Sequence, residues 1–409
     1  MSVGSEIVGE FGNERVRNPT EMERGAVETI VEPHSVEEIA ALVRKCEADQ
    51  ISLAPIGAAR TLAQIRCAPA KIGISLRRMA RIVAYEPEDM TVVVEAGLTV
   101  GALNATLAAR GQRLPVDPAN PDITTIGSLI AASHAGPLRL SEGTARDLLI
   151  GIQFVGHGGR IVRAGGRVVK NVAGYDLMKM MTGSFGTLGV ITEATFKVRP
   201  IPENYSLAVA GFDDIAAAFE AASKLQDRIA LVHLETISPS VSAALGLREK
   251  FTVLAGFAGV QSELKHQRDV IAGILPLNME VLDAERANRL YTSLRDFRFT
   301  EDALVSRMAV LPNELARCAG ASSAEFIAHV GSGIAALSAR GDADKVARWR
   351  TIAHSARGHL RMLSAPPAIR SQIEFFDRPE PGVFKVMQRL KSAFDPAGIF
   401  NPGCFVGGL

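Results

Sequence analysis

The residues of this chain whose types and spacing suggest chemistry are mostly glycines and other small residues. Ten of the 37 glycines lie between Gly151 and Val190, at 151, 156, 158, 159, 165, 166, 174, 183, 186 and 189. Glycine loses more backbone entropy on folding than any other residue, so such a cluster marks tight turns or backbone pressed against a ligand. The run Pro55-Ile56-Gly57-Ala58-Ala59-Arg60-Thr61 follows a strand-like segment. A small-residue turn in that position can offer backbone N–H groups to an anion. Thr125-Ile126-Gly127-Ser128 opens a helix rich in small residues, including Ala131, Ala132, Ala135 and Gly136. Its N–H groups and dipole would favour negative charge. Gly183-Ser184-Phe185-Gly186-Thr187-Leu188-Gly189 is a GxxGxxG that follows a helix-like run and precedes a strand. That is the reverse of the dinucleotide-binding order, and no GxxxxGK[ST] occurs.

Other chemistries are poorly represented. Cys46, Cys67, Cys318 and Cys404 are far apart with no CxxC, so no zinc or iron–sulfur site is readable and Cys404 reads as an incidental thiol. His233, His266, His329, His354 and His359 form no HxH or HxxxH pair. Neither a catalytic residue nor a metal ligand is assigned from sequence. His329, in His329-Val330-Gly331-Ser332-Gly333, reads as a packed strand-end histidine. Lys170, Asn171, Tyr175 and Asp176 read as braces of the glycine-rich connection.

The elements that would position these residues are legible as patterns. Ala26–Val31 alternates like a strand. Ser35 with Glu38 forms a capping box before an apolar stripe of Val36, Ile39, Val43 and Cys46. With a strand at Ile51–Pro55 this predicts a βαβ unit. Strands are predicted at 71–76, 81–85 and 91–96, and a helix from a Thr99 N-cap to Arg110. Thr125–Ala135 reads as a helix, 148–155 with 160–163 as a hairpin, and 189–198 as a strand. Pro200-Ile201-Pro202 is the best domain boundary. Beyond it, longer helices are expected at 216–228, 263–275 and 342–357, between strands such as 229–237 and 250–257. The chain carries 45 basic and 44 acidic residues, with 47% hydrophobic residues. It can therefore build large cores, and the even charge argues against nucleic-acid binding. No apolar run is long enough for a membrane helix, and no secretory signal is visible, so a reduced cytoplasmic setting is expected.

The order of the small-residue turn, the small-residue helix, Gly143-Thr144-Ala145-Arg146-Asp147 and Gly186-Thr187-Leu188-Gly189-Val190-Ile191-Thr192 resembles the PCMH-type FAD-binding domain of the vanillyl-alcohol oxidase superfamily. The resemblance covers roughly residues 24–202. Phe394-Asp395-Pro396-Ala397-Gly398-Ile399-Phe400-Asn401-Pro402-Gly403 is similar to that superfamily's closing motif. Within it, Val169-Lys170-Asn171-Val172-Ala173-Gly174-Tyr175-Asp176 and the run Met181–Pro200 resemble the E subunits of bacterial glycolate oxidase.

The resemblance implies an α+β fold with two lobes. It would comprise an N-terminal extension (1–23), a PCMH-type FAD-binding domain (24–202), an α+β cap (203–385) and a C-terminal segment returning to the flavin (386–409). FAD would be non-covalent, since no histidine stands in the first turn. The implied cofactor-binding residues are Pro55, Ile56, Gly57, Ala58, Ala59, Arg60, Thr61, Asp117, Pro118, Thr125, Ile126, Gly127, Ser128, Ala132, Ala135, Gly136, Gly143, Arg146, Gly189, Val190, Ile191 and Asn401. The first turn has a single glycine where relatives often have three, and Arg60 could compensate by contacting phosphate. Catalytic relatives use clustered histidines and a glutamate with a metal in the cap, a pattern not readable here. The implied function is the FAD-binding subunit of a glycolate:acceptor oxidoreductase that makes glyoxylate. A catalytic flavoprotein subunit and an iron–sulfur subunit would be its partners, in the cytoplasm or held by them at the inner face of a membrane. Two alternatives stand beside it: a self-sufficient FAD-dependent 2-hydroxy-acid dehydrogenase of D-lactate type, and a non-catalytic subunit with a degenerate flavin site.

Overall fold

The computed structural model describes residues 11–21, 23, 25–57, 69–166, 175–300 and 302–409. Ala58, Ala59, Arg60, Thr61, Cys67, Lys170 and Asn171 lie outside the described residues. The chain divides into two compact units. The first comprises residues 1–134, 144–200 and 378–409; the second comprises 135–143 and 201–377. The short excursion at 135–143 was not foreseen, because nothing in its composition sets it apart. It carries Ala135, Gly136 and Gly143, so these three belong to the second unit rather than to the unit that holds the other proposed cofactor residues.

Among the described residues the first unit contains two larger sheets and a two-stranded pair, Gln112–Arg113 with Arg199–Pro200. The smaller of the two sheets is formed by β1 (Val16–Arg17), β2 (Val27–Val31), β3 (Leu53–Ile56) and β4 (Ala70–Ser75), in the order β1-β2-β4-β3. β2, β4 and β3 are parallel. The crossover between β2 and β3 is α1 (Val36–Ala48), started by Ser35, whose hydroxyl accepts from the Glu38 amide at 3.2 Å. The Glu38 carboxylate reaches back to the His34 amide, one residue beyond the expected box partner. Ile39, Leu42, Val43 and Cys46 are buried on one side of α1, the stripe that the helical period predicts.

The second sheet is antiparallel. It contains β5 (Ile82–Glu86), β6 (Thr91–Glu95), β7 (Leu149–Gly156), β8 (Arg160–Gly165) and β9 (Val190–Lys197), ordered β5-β6-β9-β7-β8. α2 (Val100–Ala108) has the predicted Thr99 cap. The expected helix at 125–135 is shorter: α3 runs only from Ile126 to Ala131. The chain turns at Ser133, which has a φ of +51° that a helix cannot continue through.

The second unit is built on one eight-stranded antiparallel sheet. Its strands are β10 (Asn204–Phe212), β11 (His233–Ile237), β12 (Phe251–Gly259), β13 (Glu280–Leu282), β14 (Leu304–Ala309), β15 (Glu325–His329), β16 (Ile334–Ala339) and β17 (His359–Ser364). The order is β13-β10-β12-β11-β15-β16-β14-β17. Helices Ile215–Gln226, Gln261–Ala272 and Ala343–Ser355 lie close to the predicted spans. The predicted strand at 229–237 begins only at His233. Cys404 is disulfide-bonded, which corrects its reading as an incidental thiol.

Candidate functional site

In the first unit the Pro55–Gly57 turn meets the start of α3 where the parallel strands end. β3 and β4 run in the same direction, with Ile56 opposite Ser75. Ligands of parallel sheets sit beyond the carboxyl ends of the strands. The next residue, Gly57, faces α3 so closely that a Cβ there would stand 2.6 Å from Thr125 Oγ1 and 3.0 Å from Ser128 Cβ. Two elements some seventy residues apart in sequence thus meet at one glycine. Pro55 is covered from another side. A Cβ on Gly186, which has a φ of +71°, would lie 3.3 Å from the Pro55 ring.

The start of α3 is less open than expected. The Ile126 amide donates to the Leu98 carbonyl and the Gly127 amide to the Ala96 carbonyl, both at 2.8 Å. The Ser128 amide donates to Thr125 Oγ1. The three amides proposed to meet an anion therefore already have partners. Two hydroxyls of this unit are buried. Among the described residues neither Ser75 Oγ nor Ser184 Oγ has a hydrogen-bond partner, and neither residue was singled out from sequence. A buried, unpaired hydroxyl is costly unless something completes it.

The C-terminal segment closes this wall. The Leu53 amide donates to the Ile399 carbonyl, and the Asn401 amide to the Leu53 carbonyl. Phe400 bridges Leu53 in parallel, so the segment extends the open edge of β3. Asn401 is buried, and its side-chain amide donates to the Phe185 carbonyl at 2.7 Å. It braces the 183–189 loop. Asp395, also buried, accepts from the Ile399 and Phe400 amides and from Lys391 Nζ at 2.6 Å. Lys391 donates in turn to the Thr187 and Phe400 carbonyls. Gly189 has a φ of +148°, and a Cβ there would press on the Val155 carbonyl at 2.7 Å. It leads into Val190 and Ile191, both buried. Ala132 is buried at the end of α3, and Asp117 is buried beside Pro118, each in the first unit. Arg146 is exposed and its charge helps to hold the Asp176 carboxyl below its usual range, after the hydrogen bond from Lys179.

The second unit assembles a polar set that the sequence does not show. His233 and Glu235 are fully buried on β11, and His233 Nδ1 lies 2.6 Å from Glu235 Oε2. Tyr205 Oη lies 2.7 Å from His233 Nε2. His329 Nδ1 lies 3.1 Å from Glu235 Oε1. Glu235 stands opposite His329 in the ladder, and Gly256 beside His233 leaves the room that its ring fills. Burial raises the Glu235 carboxyl pKa, but the charge and hydrogen bonds of His233, with those of His329, hold it below its usual range. Burial pushes the Tyr205 hydroxyl up, and the Glu235 charge adds to this. The two imidazoles aim their Nδ1 atoms at the same carboxylate instead of at a common point. Among the described residues no His/Cys/Asp/Glu group is arranged to hold a metal. The signal in sequence was His233-Leu234-Glu235, two groups on one face of a strand.

The same sheet face carries a group of cations. His329 pairs with Ile334, Ile334 with Ala309, and Ala309 with His359. Two residues along, Arg307 pairs with Arg361. Opposed residues of an antiparallel ladder share a face. Arg307 has no carboxylate or other acceptor among the described residues. Burial lowers its guanidinium to about 10, and Arg139 pushes the same way. Arg361 is also lowered to about 10, by burial and by Arg307. Burial and then Arg307 lower the His359 imidazole as well.

Comparison with known proteins agrees with this architecture. Residues 27–165 match the model of an FAD binding domain, and residues 375–404 that of the C-terminal domain of FAD linked oxidases. These matches support an FAD-binding chain of the PCMH-type superfamily. It is an FAD-dependent oxidoreductase. Glycolate oxidase subunit GlcE of Escherichia coli is 28% identical over 79% of this chain and 83% of its own length. The mitochondrial D-lactate dehydrogenase [cytochrome] of Arabidopsis thaliana is 26% identical over 92% of this chain and 73% of its own. The structure of 4-ethylphenol oxidase from Gulosibacter chungangensis superposes with a TM-score of 0.73 at 16% identity, covering 98% of this chain and 95% of that one. This last likeness shows that the PCMH-type fold is shared. Among the described residues no helix is long and apolar enough to cross a membrane.

Proposed function

We propose that this chain is the FAD-binding subunit of a glycolate:acceptor oxidoreductase that converts glycolate to glyoxylate. Its FAD is non-covalent and is held in the first unit at Gly57, Pro55, Gly127, Ser128, Gly189, Val190 and Ile191. The hydroxyls of Ser75 and Ser184 complete the polar contacts. Their lack of partners in a buried setting is the observation that supports a polar ligand there. When bound, FAD supplies the two-electron acceptor. Partner subunits, a catalytic flavoprotein and an iron–sulfur protein, would pass electrons onward in the cytoplasm. The likeness to GlcE along most of both chains supports this role.

The single observation that carries the substrate class is Arg307. A partly buried guanidinium beside Arg361 and Arg139, with no anion against it, is electrostatically incomplete. A small carboxylate ligand completes it through charge-assisted hydrogen bonds. That observation also favours a second reading, in which this chain oxidises a 2-hydroxy acid itself. Arg307 and Arg361 would then hold the carboxylate. His329, turned by Glu235 so that Nε2 is left over, would accept the hydroxyl proton.

The chain purified alone decides between these. A yellow protein whose flavin is released by acid is expected, with little glycolate-dependent dye reduction until the companion subunits are added. Dye reduction by the isolated chain with glycolate or D-lactate establishes the second reading. A folded, colourless chain overturns both in favour of a degenerate flavin site.

A further inference from the structure

The C-terminal helix Pro381–Phe394 has two different working faces. One holds it to the first unit. Phe384 packs on Gly407, where a Cβ would stand 2.6 Å from its ring, and Lys391 is tied to Asp395 and the Thr187 carbonyl. The adjacent face is apolar and bare. Val383 and Val386 are each 54% exposed and Leu390 is 40% exposed. With exposed Ala393 these residues fall at 383, 386, 390 and 393, the alternating three- and four-residue spacing of a coiled-coil seam. Lys385 and Arg389, both exposed, flank the seam, and among the described residues no carboxylate pairs with either.

We infer that this face docks an amphipathic helix of a partner protein, with apolar residues on the seam and acidic residues beside it. The seam spacing fits a helix, and the two unneutralised cations call for carboxylates across it. A second copy of the same face would set Lys385 and Arg389 against themselves. A membrane surface fits less well. The exposed stripe holds two valines, a leucine and an alanine, with none of the aromatic residues that anchor interfacial helices. The surface stands on exposure and charge in the first unit, so it does not depend on which acid the complex oxidises.

The test uses the full-length chain and a fluorescent three-heptad peptide with leucine at its seam positions and glutamate beside them. Saturable binding is expected by anisotropy, with none for a control peptide carrying lysine in place of glutamate. The double variant Val386→Glu with Leu390→Glu should weaken binding at least tenfold. Lys385→Glu with Arg389→Glu should weaken it severalfold and remove its salt dependence. Both variants should keep the wild-type melting temperature and flavin content, because the altered side chains face solvent. Three results overturn the inference. They are equal binding of both peptides, binding unaffected by the seam variant, or wild-type binding to vesicles of phosphatidylcholine and phosphatidylglycerol or to itself in sedimentation, with none to the peptide.

Discussion

Gly57 and Thr125 are in direct contact: a methyl group on the glycine would meet the threonine hydroxyl at 2.6 Å. The last turn of the parallel sheet and the cap of α3 are therefore one structural unit, although the sequence presents them as separate motifs. Thr125 serves both, since its hydroxyl also accepts from the Ser128 amide.

Gly57→Ala tests this contact. Overpacking at such a site costs about 1–3 kcal/mol. Both a lower melting temperature and a lower ratio of flavin to protein absorbance are expected. Adding Thr125→Ala, which removes the opposing hydroxyl together with its cap, should cost less than the two single losses summed. A double-mutant cycle with no coupling would place the contact elsewhere.

Asp395 holds the C-terminal segment on β3 through Lys391 and two amides. Asp395→Ala leaves Lys391 without its carboxylate in a mostly buried place, a loss of about 3–5 kcal/mol. The expected signs are cleavage between 395 and 409 by a protease that spares the wild type, and weaker flavin retention. Asp395→Asn, which can still accept from one amide, should be milder.

Arg307→Met should separate stability from function. Removing a cation that lacks a counterion should raise the melting temperature by a few degrees, while the KM of the assembled enzyme for its hydroxy acid rises or its turnover falls at least tenfold. The stability gain also depends on pH. Burial holds the folded Arg307 guanidinium at about 10, below its ordinary range, so above that value the unfolded chain binds more protons and native stability rises with pH. The gap between variant and wild type should be full below pH 10 and shrink above it, as read by denaturant melts.

Glu23 gives a dependence of the same sign at low pH, from a stabilising pair instead of an uncompensated cation. Hydrogen bonds from Arg17 lower its carboxyl to about 2, against burial, and bonds from Thr20 help. A carboxyl depressed in the folded state stabilises the protein above its ordinary pKa of 4.5, and this is lost as pH falls towards 2. Between pH 5 and 3 the wild type should lose more melting temperature than Glu23→Gln. Parallel curves would show that the pair contributes nothing.

Local chemistry made much of the first unit legible. Ser35 and Thr99 cap their helices through short-range hydrogen bonds that any chain with those residues can make, and both caps are present. The βαβ unit and the alternating strands likewise follow from apolar period. The closing motif at 394–403 marked a returning segment, but not that Asn401 would spend its amide on Phe185. That the amides of Ile126 and Gly127 are already bonded was hidden for the same reason. Their acceptors, Leu98 and Ala96, are carbonyls of a distant turn, and carbonyls carry no sequence signature.

By itself, then, the sequence determined most of the local elements, the caps at Ser35 and Thr99, and a resemblance to flavin-binding proteins. Tertiary structure alone decided which groups meet. Tyr205, His233, Glu235 and His329 come from three strands, and Arg307 and Arg361 from two more. Their meeting depends on strand order and on register, and a slip of one residue would turn every one of these side chains to the opposite face. Register is set by the summed packing of a whole sheet against its helices. No local run of residues encodes that sum, so the half-buried Arg307 without an anion became visible only once the sheet was assembled.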